Sequence, residues 1–256
     1  IVFVNGMHYE FSVGGKFSST ASSVVPGLKL FADGADILDI GGESTRPGAQ
    51  PVDLDEELRR VIPVIEALSA VASVPLSIDT YKPEVMRAAI LAGADIVNDI
   101  CALREEGALE VDANSNACVC LMHMQGVPQT MQINPTYHDV VAEVKQFLSD
   151  RVDACLAHGI ARERILLDPG FGFGKTTAHN IALIQHLDSL AALGFPLLVG
   201  LSRKSVLGKI AGGDELQRLH AGLAASVISV MKGAKIVRVH DVKATVDALK
   251  VVTAIF

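Results

Sequence analysis

Eight short apolar runs recur along this chain with amphipathic stretches between them, and that alternation is the feature that most limits its fold. The runs are IVFV at 1–4, DILDI at 36–40, PLSID at 75–79, ADIVN at 94–98, ACVCLM at 117–122, RILLD at 164–168, PLLVG at 196–200 and KIVRV at 235–239. Several are apolar nearly throughout, the pattern of strands covered on both faces. Between them, DLDEELRRVIPVIEALSAV (53–71) has helical apolar spacing and acids in its first turn, where the helix dipole favours them. YHDVVAEVKQFLSDRVDACLAHG (137–159) has the same spacing and ends in a glycine suited to a C-cap. Eight strand–helix units in 256 residues match a closed (β/α)8 TIM barrel of the α/β class, one domain over residues 1–256.

An open doubly wound sheet competes with the barrel, but it calls for a GxGxxG turn or a P-loop after a strand. The nearest candidate is RILLDPGFGFGKT at 164–176. A P-loop needs a glycine five positions before its Gly-Lys pair, so that backbone N–H groups can curl around phosphates. Five positions before Gly174 stands Pro169, which has no N–H, and Gly170 is one residue too close. The stretch therefore reads as a strand-end carboxylate, Asp168, a proline that stops the strand, and glycines that let a loop pass close to a flat ligand. Phe173 is placed to cover that ligand, and Lys175 and Thr176 are expected to begin the sixth helix without a phosphate role.

Half the residues are apolar and 20% are charged, so a large core is available and the composition is that of a folded chain rather than a disordered one. The formal net charge is −7, with Lys and Arg scattered, which argues against nucleic acid as a partner. No apolar stretch reaches membrane-spanning length and no signal-peptide pattern opens the chain, so a soluble, cytoplasmic protein is expected. The four cysteines lack the density of a disulfide framework. Cys118 and Cys120 precede His123, but the second cysteine pair of a structural zinc site is missing, and ordinary strand packing is the expectation.

In a TIM barrel the active site lies at the carboxyl ends of the strands. Residues at those ends are Asn5, Glu43 to Arg46, Asp79, Asn98, Asp99, His123, Asp168, Ser202 to Ser205, and Arg238 to Asp241. Any one of them could be a helix N-cap, and Asp99 and Asp241 are read that way. Asp79, Asn98, Asp168 and Lys204 together exceed that explanation, because each would be costly to bury unpaired. The acceptors Asp79, Asn98 and Asp168 suit a ring bearing a row of N–H donors, such as an amino-substituted heterocycle. Arg46, Lys204, Arg238 and His240 suit phosphate or carboxylate, and SRKS adds the N-terminal end of the seventh helix. The mouth is expected to hold a donor-rich ring on one side and an anion on the other.

The motifs ILDIGGESTRPGA (37–49), SIDTYKPEV (77–85), NDI (98–100), CLMHMQG (120–126), LLDPGFGFGK (166–175), LLVGLSRKS (197–205) and IVRVHDV (236–242) together resemble the bacterial dihydropteroate synthase family, in order over nearly the whole chain. That resemblance implies a TIM barrel, a homodimer, and a place in folate biosynthesis as a sulfonamide target. The implied reaction joins 6-hydroxymethyl-7,8-dihydropterin diphosphate to 4-aminobenzoate and releases diphosphate with help from Mg2+. It implies an SN1-like substitution: diphosphate leaves, and the aniline nitrogen attacks the pterin-stabilised cation at the exocyclic methylene. By resemblance, Asp79, Asp168, Lys204, Arg238 and His240 carry catalysis. Asn98, Met122, Phe173, Gly200, Thr45, Arg46, Pro47 and Ser205 contact substrates, and Asn5 meets the metal.

The chain departs from the family in its first loop, NGMHYEFSVGG at 5–15 against the usual NVTPDSFSDGG. Cys101 also stands where a longer polar or basic residue is common, and DANSNA (112–117) is an unusually polar approach to strand five. The altered loop admits a catalytically impaired pterin-binding protein as an alternative. A pterin-dependent corrinoid methyltransferase shares the barrel and acidic pocket but has less use for SRKS and RVHD as an anion site.

Overall fold

A computed structural model describes residues 1–8, 20–46, 48–212 and 218–256, with the side chains of 3–8 and 20–25 outside the description. Eight parallel strands stand where the apolar runs predict them: β1 (Val2–His8), β2 (Ile37–Gly41), β3 (Leu76–Asp79), β4 (Ile96–Asp99), β5 (Cys118–Met122), β6 (Ile165–Asp168), β7 (Leu198–Val199) and β8 (Ile236–Val239). Their order is β6-β5-β4-β3-β2-β1-β8-β7, so the two strands at the ends of that series are β6 and β7. An isolated parallel bridge, Leu167 to Leu197, joins those two strands. The Leu167 N–H also donates to the Pro196 carbonyl at 3.0 Å, which closes the ring. Strand β7 is shorter than the PLLVG run because its lower end contributes only that bridge.

The helices among the described residues are α1 (Thr20–Ala32), α2 (Leu54–Ser69), α3 (Pro83–Ala92), α4 (Ala108–Ala113), α5 (Val140–Ala157), α6 (Thr177–Gln185), α7 (Leu187–Ala191), α8 (Ser205–Ala211), α9 (Leu219–Met231) and α10 (Val242–Ile255). The Asp53 carboxylate caps α2 by accepting the Glu56 N–H at 2.8 Å. Gly159, just past α5, takes φ 85°, a left-handed turn that a side chain would disfavour. Helix α5 begins at Val140, not at Tyr137, because Asp139 caps it and Tyr137 is drawn away to a loop carbonyl. None of the helices among the described residues is long and apolar enough to cross a membrane.

Strand alternation explains where the polar groups go. Leu38, Ile40, Leu76, Ile78, Val97, Val119, Leu121, Leu167, Val199 and Val237 belong to the large core between sheet and helices. The intervening positions Ile37, Ile96, Cys120, Leu166, Leu198 and Ile236 form a separate buried cluster inside the barrel, with Cys118 against it. Cys118 and Cys120 thus pack on one strand face, and no group of three or more His, Cys, Asp or Glu that could hold a metal occurs among the described residues. Two residues beyond those six cluster positions, and beyond buried Ser77 on β3, the next inward layer among the described side chains is Asp39, Asp79, Asn98, Met122, Asp168, Gly200 and Arg238. A period of two lifts the chain from an apolar plug to a polar mouth in one step.

Candidate active site at the barrel mouth

Arg238 ties three strands of this layer together. Its Nε and Nη2 donate to Asp39 Oδ2 at 2.8 and 2.5 Å, and Nη2 also reaches Asp79 Oδ2 at 2.7 Å. Asp39 Oδ2 further accepts from Asn98 Nδ2 at 3.4 Å. Burial pushes the Asp79 carboxyl above its ordinary value, with Arg238 pulling the other way. Burial works against the Arg238 charge, but the flanking carboxylates overcome it and hold the guanidinium protonated more firmly than usual. Asp79 and Asn98 are register partners on β3 and β4, so the two acceptors stand side by side.

Asp168 lies on the far side of the same layer, in register with Met122. Its Oδ1 accepts the Gly170 N–H at 2.7 Å. Burial raises its pKa, opposed first by Lys204. Lys204 donates to the Phe171 carbonyl and holds its ammonium 4.6 Å from the centre of the Phe173 ring. Burial lowers Lys204 to about 8, with the Asp168 charge opposing. Met122 and Phe173 fall in one apolar cluster with Ile100, Met124 and Met131, so the predicted walls of a flat ligand do share a surface.

The glycines of the β6 loop are needed for approach. A Cβ on Gly170 would sit 1.8 Å from the His123 carbonyl oxygen, and one on Gly174 would sit 2.5 Å from that of Gln125. Lys175 differs from its expected place. Thr176 caps α6, so Lys175 precedes the helix, and its side chain turns inward to only 3% exposure. Its Nζ meets His123 Nδ1 at 2.8 Å, the Gly170 carbonyl at 2.9 Å and the Phe173 carbonyl at 3.0 Å. Burial, then the Lys175 charge, drives His123 down to about 3, so its imidazole is neutral. Burial likewise pulls Lys175 well below the ordinary lysine value.

A cleft of about 570 Å3 opens beside these groups, lined in part by Thr45, Arg46, Phe173, Lys204, Ser205, Arg238 and His240. The wall extends through Arg203, Lys209 and Arg218 and, among the described residues, contains no acidic side chain, although the whole chain is acidic. His240 holds Ser202 Oγ through Nδ1 at 3.1 Å. The sequence separates acceptors from cations, whereas Arg238 belongs to both: it lines the cleft while gripping Asp39 and Asp79. Asp99 does cap, but it caps a loop rather than a helix. Its carboxylate accepts the N–H groups of Cys101 and Leu103 at 2.7 Å, and burial lifts it to about 7. Asp241 occupies the N-cap position of α10, but its side chain makes no capping bond and pairs with Arg203 at 2.7 Å.

The backbone of Asn5 lies in β1 opposite Asp39. Its side chain, Pro47 and the atypical residues 9–15 lie outside the described residues. Asp39 was not among the residues marked by strand ends, because it sits inside DILDI rather than after it. The signal was present: with Ile37 facing inward, a period of two sends Asp39 inward as well. A second unmarked group supports the β2 loop. Lys82 Nζ donates to Glu43 Oε2 at 2.6 Å, to the Val52 carbonyl at 2.7 Å and to Glu57 Oε2. Glu43 Oε2 also accepts the Val52 N–H at 3.1 Å, so both ends of the loop bearing Thr45 and Arg46 meet at Lys82.

Fold and site define a TIM barrel whose mouth couples buried carboxylates to a guanidinium beside a cationic cleft. Residues 3–240 match the model of the pterin binding enzyme family. Dihydropteroate synthase of Neisseria meningitidis serogroup B is 53% identical over 249 residues, covering 94% of this chain and 87% of that protein. The Escherichia coli K12 dihydropteroate synthase is 50% identical over 245 residues, covering 96% and 87%. Among solved structures, the Yersinia pestis dihydropteroate synthase with a sulfonamide drug complex superposes with a TM-score of 0.95 at 45% identity, covering 99% of this chain and 93% of that one. The Xanthomonas albilineans enzyme in complex with 7,8-dihydropteroate gives 0.88 at 46%, covering 99% and 92%. The chain belongs to the pterin binding enzyme family and, within it, to the dihydropteroate synthases. That kinship sets aside the methyltransferase alternative.

Proposed function

We propose that this protein condenses 6-hydroxymethyl-7,8-dihydropterin diphosphate with 4-aminobenzoate to give 7,8-dihydropteroate and diphosphate, as a transferase of folate biosynthesis. The observation that carries the reading is the inward layer itself, where Asp79, Asn98 and Asp168 join one polar mouth with Arg238 beside Asp79. In this reading the three acceptors hold the aminopyrimidinone edge, with Met122 and Phe173 against the ring faces and Gly200 leaving room beside them. Lys204 lies on the carbonyl or ring-nitrogen side of the pterin, Arg238 and His240 face the diphosphate, and departure of the diphosphate breaks the methylene carbon–oxygen bond. The aniline nitrogen of 4-aminobenzoate then forms the carbon–nitrogen bond and releases a proton to solvent. Thr45, Arg46 and Ser205 would orient its carboxylate from the cationic cleft. Fixed charges in a mouth shielded from water act without reorganising, which is where the acceleration would arise.

Mg2+ suits this donor set. It takes oxygen ligands, mostly waters and phosphate oxygens, and needs only one or two from the protein. Asn5, opposite Asp39 on the neighbouring strand, is the protein oxygen proposed to meet it. When bound, the ion would neutralise charge on the leaving diphosphate. The reaction is placed in the cytoplasm, and the assembly proposed is a homodimer. Ile228 and Met231 on α9, and Val251 and Ile255 on α10, are exposed apolar residues on packed neighbouring helices, which favours a covered face.

The test combines calorimetry with a pterin ligand and a diphosphate-release assay with Mg2+. Release that depends on 4-aminobenzoate supports the synthase. Pterin binding without release would overturn it in favour of the impaired pterin-binding protein.

A further inference from the structure

We infer that Lys175 is a positioning residue that fixes the β6 loop in a single shape, so that Phe173 and Lys204 are already set for the pterin ring. The inference deepens the function proposed above and rests on it for the identity of the ligand. Its ground is a run of five consecutive loop carbonyls, each accepting a hydrogen bond from a side chain. Lys175 takes Gly170 at 2.9 Å and Phe173 at 3.0 Å, and Lys204 takes Phe171. Gln132 takes Gly172, and Tyr137 takes Gly174 at 2.8 Å. The loop amides are held as well: Gly170 N–H by Asp168 at 2.7 Å, Gly172 N–H by Asn180 at 2.8 Å and Phe173 N–H by the Gly170 carbonyl at 3.1 Å. A glycine-rich loop has the most conformational freedom to lose, so external donors must do what its own sequence does not.

Lys175 is the centre of that arrangement. Its three short contacts, to His123 Nδ1 and two carbonyls, supply one acceptor for each N–H of an ammonium. His123 comes from the end of β5 and is held edge-on against Phe147 at 4.9 Å, so the anchor belongs to the rigid wall. Without Lys175, the Gly170 and Phe173 carbonyls and the His123 ring lose a common partner, and Phe173 loses the tether on its own peptide. Lys175 touches the loop backbone rather than the reacting atoms, which makes it a positioning group and not a catalytic one.

The experiment compares wild type, Lys175→Met and the double variant Gln132→Ala/Tyr137→Phe, which releases two loop carbonyls without opening the core. Amide exchange over residues 169–176 is measured without ligand, together with pterin affinity, kcat and both KM values. Wild type should protect the Gly170, Gly172 and Phe173 amides. Lys175→Met should lose that protection and at least tenfold in pterin affinity, with KM for 4-aminobenzoate moving by less than threefold. The double variant should fall between the two, and it carries the test should Lys175→Met not fold. A folded Lys175→Met with pterin affinity within threefold of wild type would overturn the inference. Unprotected wild-type amides would overturn it as well. Protected amides in a wild type that binds no pterin would defeat the functional reading and leave the loop assignment standing.

Discussion

Asp168→Asn isolates the contribution of one buried charge to ligand recognition. The carboxylate is 6% exposed and its Oδ1 is committed to the Gly170 N–H at 2.7 Å. An asparagine of the same shape must aim its carbonyl oxygen at that N–H, because the alternative sets two donors face to face. Its NH2 group then points where, in the proposed reading, Oδ2 accepts from the pterin, and a donor would meet a donor. The loss is therefore more than one neutral hydrogen bond. A charge-assisted bond contributes about 1.5–3 kcal/mol, and stranding a buried donor costs about 1–3 kcal/mol. Allowing for overlap between those two terms, the substitution should cost about 2–4 kcal/mol of pterin binding, or roughly 30- to 800-fold in Kd. Titration calorimetry with a pterin measures it, with thermal denaturation as the control that the barrel persists. A loss below about fivefold in a folded variant would refute the placement of Asp168 against the ring.

Lys204 sets an alkaline limit. Its folded value of about 8 lies below the ordinary 10.5, so the bound proton is lost earlier in the folded state. Stability from this group should rise with pH between those values, while pterin affinity should fall as pH passes about 8. Lys204→Arg should remove that fall, and a flat wild-type binding profile across the same range would count against the assignment. Gly170→Ala places a methyl group 1.8 Å from a backbone oxygen at φ 67°, so it should abolish pterin binding and lower Tm, whereas Gly48→Ala has open space and should lower Tm far less. Lys82→Met leaves Glu43 and Glu57 buried without their shared cation and should cost about 3–5 kcal/mol in urea denaturation. A cost under about 1 kcal/mol would show that the ion triad is not what holds the β2 loop.

The barrel was legible because all eight runs are apolar at alternate or at all positions and eight strand–helix units in this length suit a closed (β/α)8 barrel. Asp79, Asn98 and Asp168 were legible because each ends its run. Asp39 was hidden by its position: surrounded by Ile37, Leu38 and Ile40, it looks like an interruption of a strand rather than its functional face. Lys175 was hidden for a different reason. A lysine after a glycine turn and before a threonine cap reads as a solvated helix start, and what draws it inward is a folded-loop geometry: the carbonyls of Gly170 and Phe173 together with His123, 52 residues away. The triad of Lys82, Glu43 and Glu57 likewise depends on side chains from three elements, which no local pattern encodes. The double place of Arg238, paired with Asp39 and Asp79 while lining the cationic cleft, follows from barrel closure, since β8 must come to lie beside β1.

That last contact reaches across 199 positions of sequence, from Asp39 to Arg238. During synthesis, everything up to β7 leaves the ribosome before the guanidinium that joins β2 to β3 has been made. The ligand mouth is thus among the last parts of the molecule to become electrically balanced. A nascent chain halted before β8 would carry most of the apolar plug yet be unable to assemble the centre of its own site.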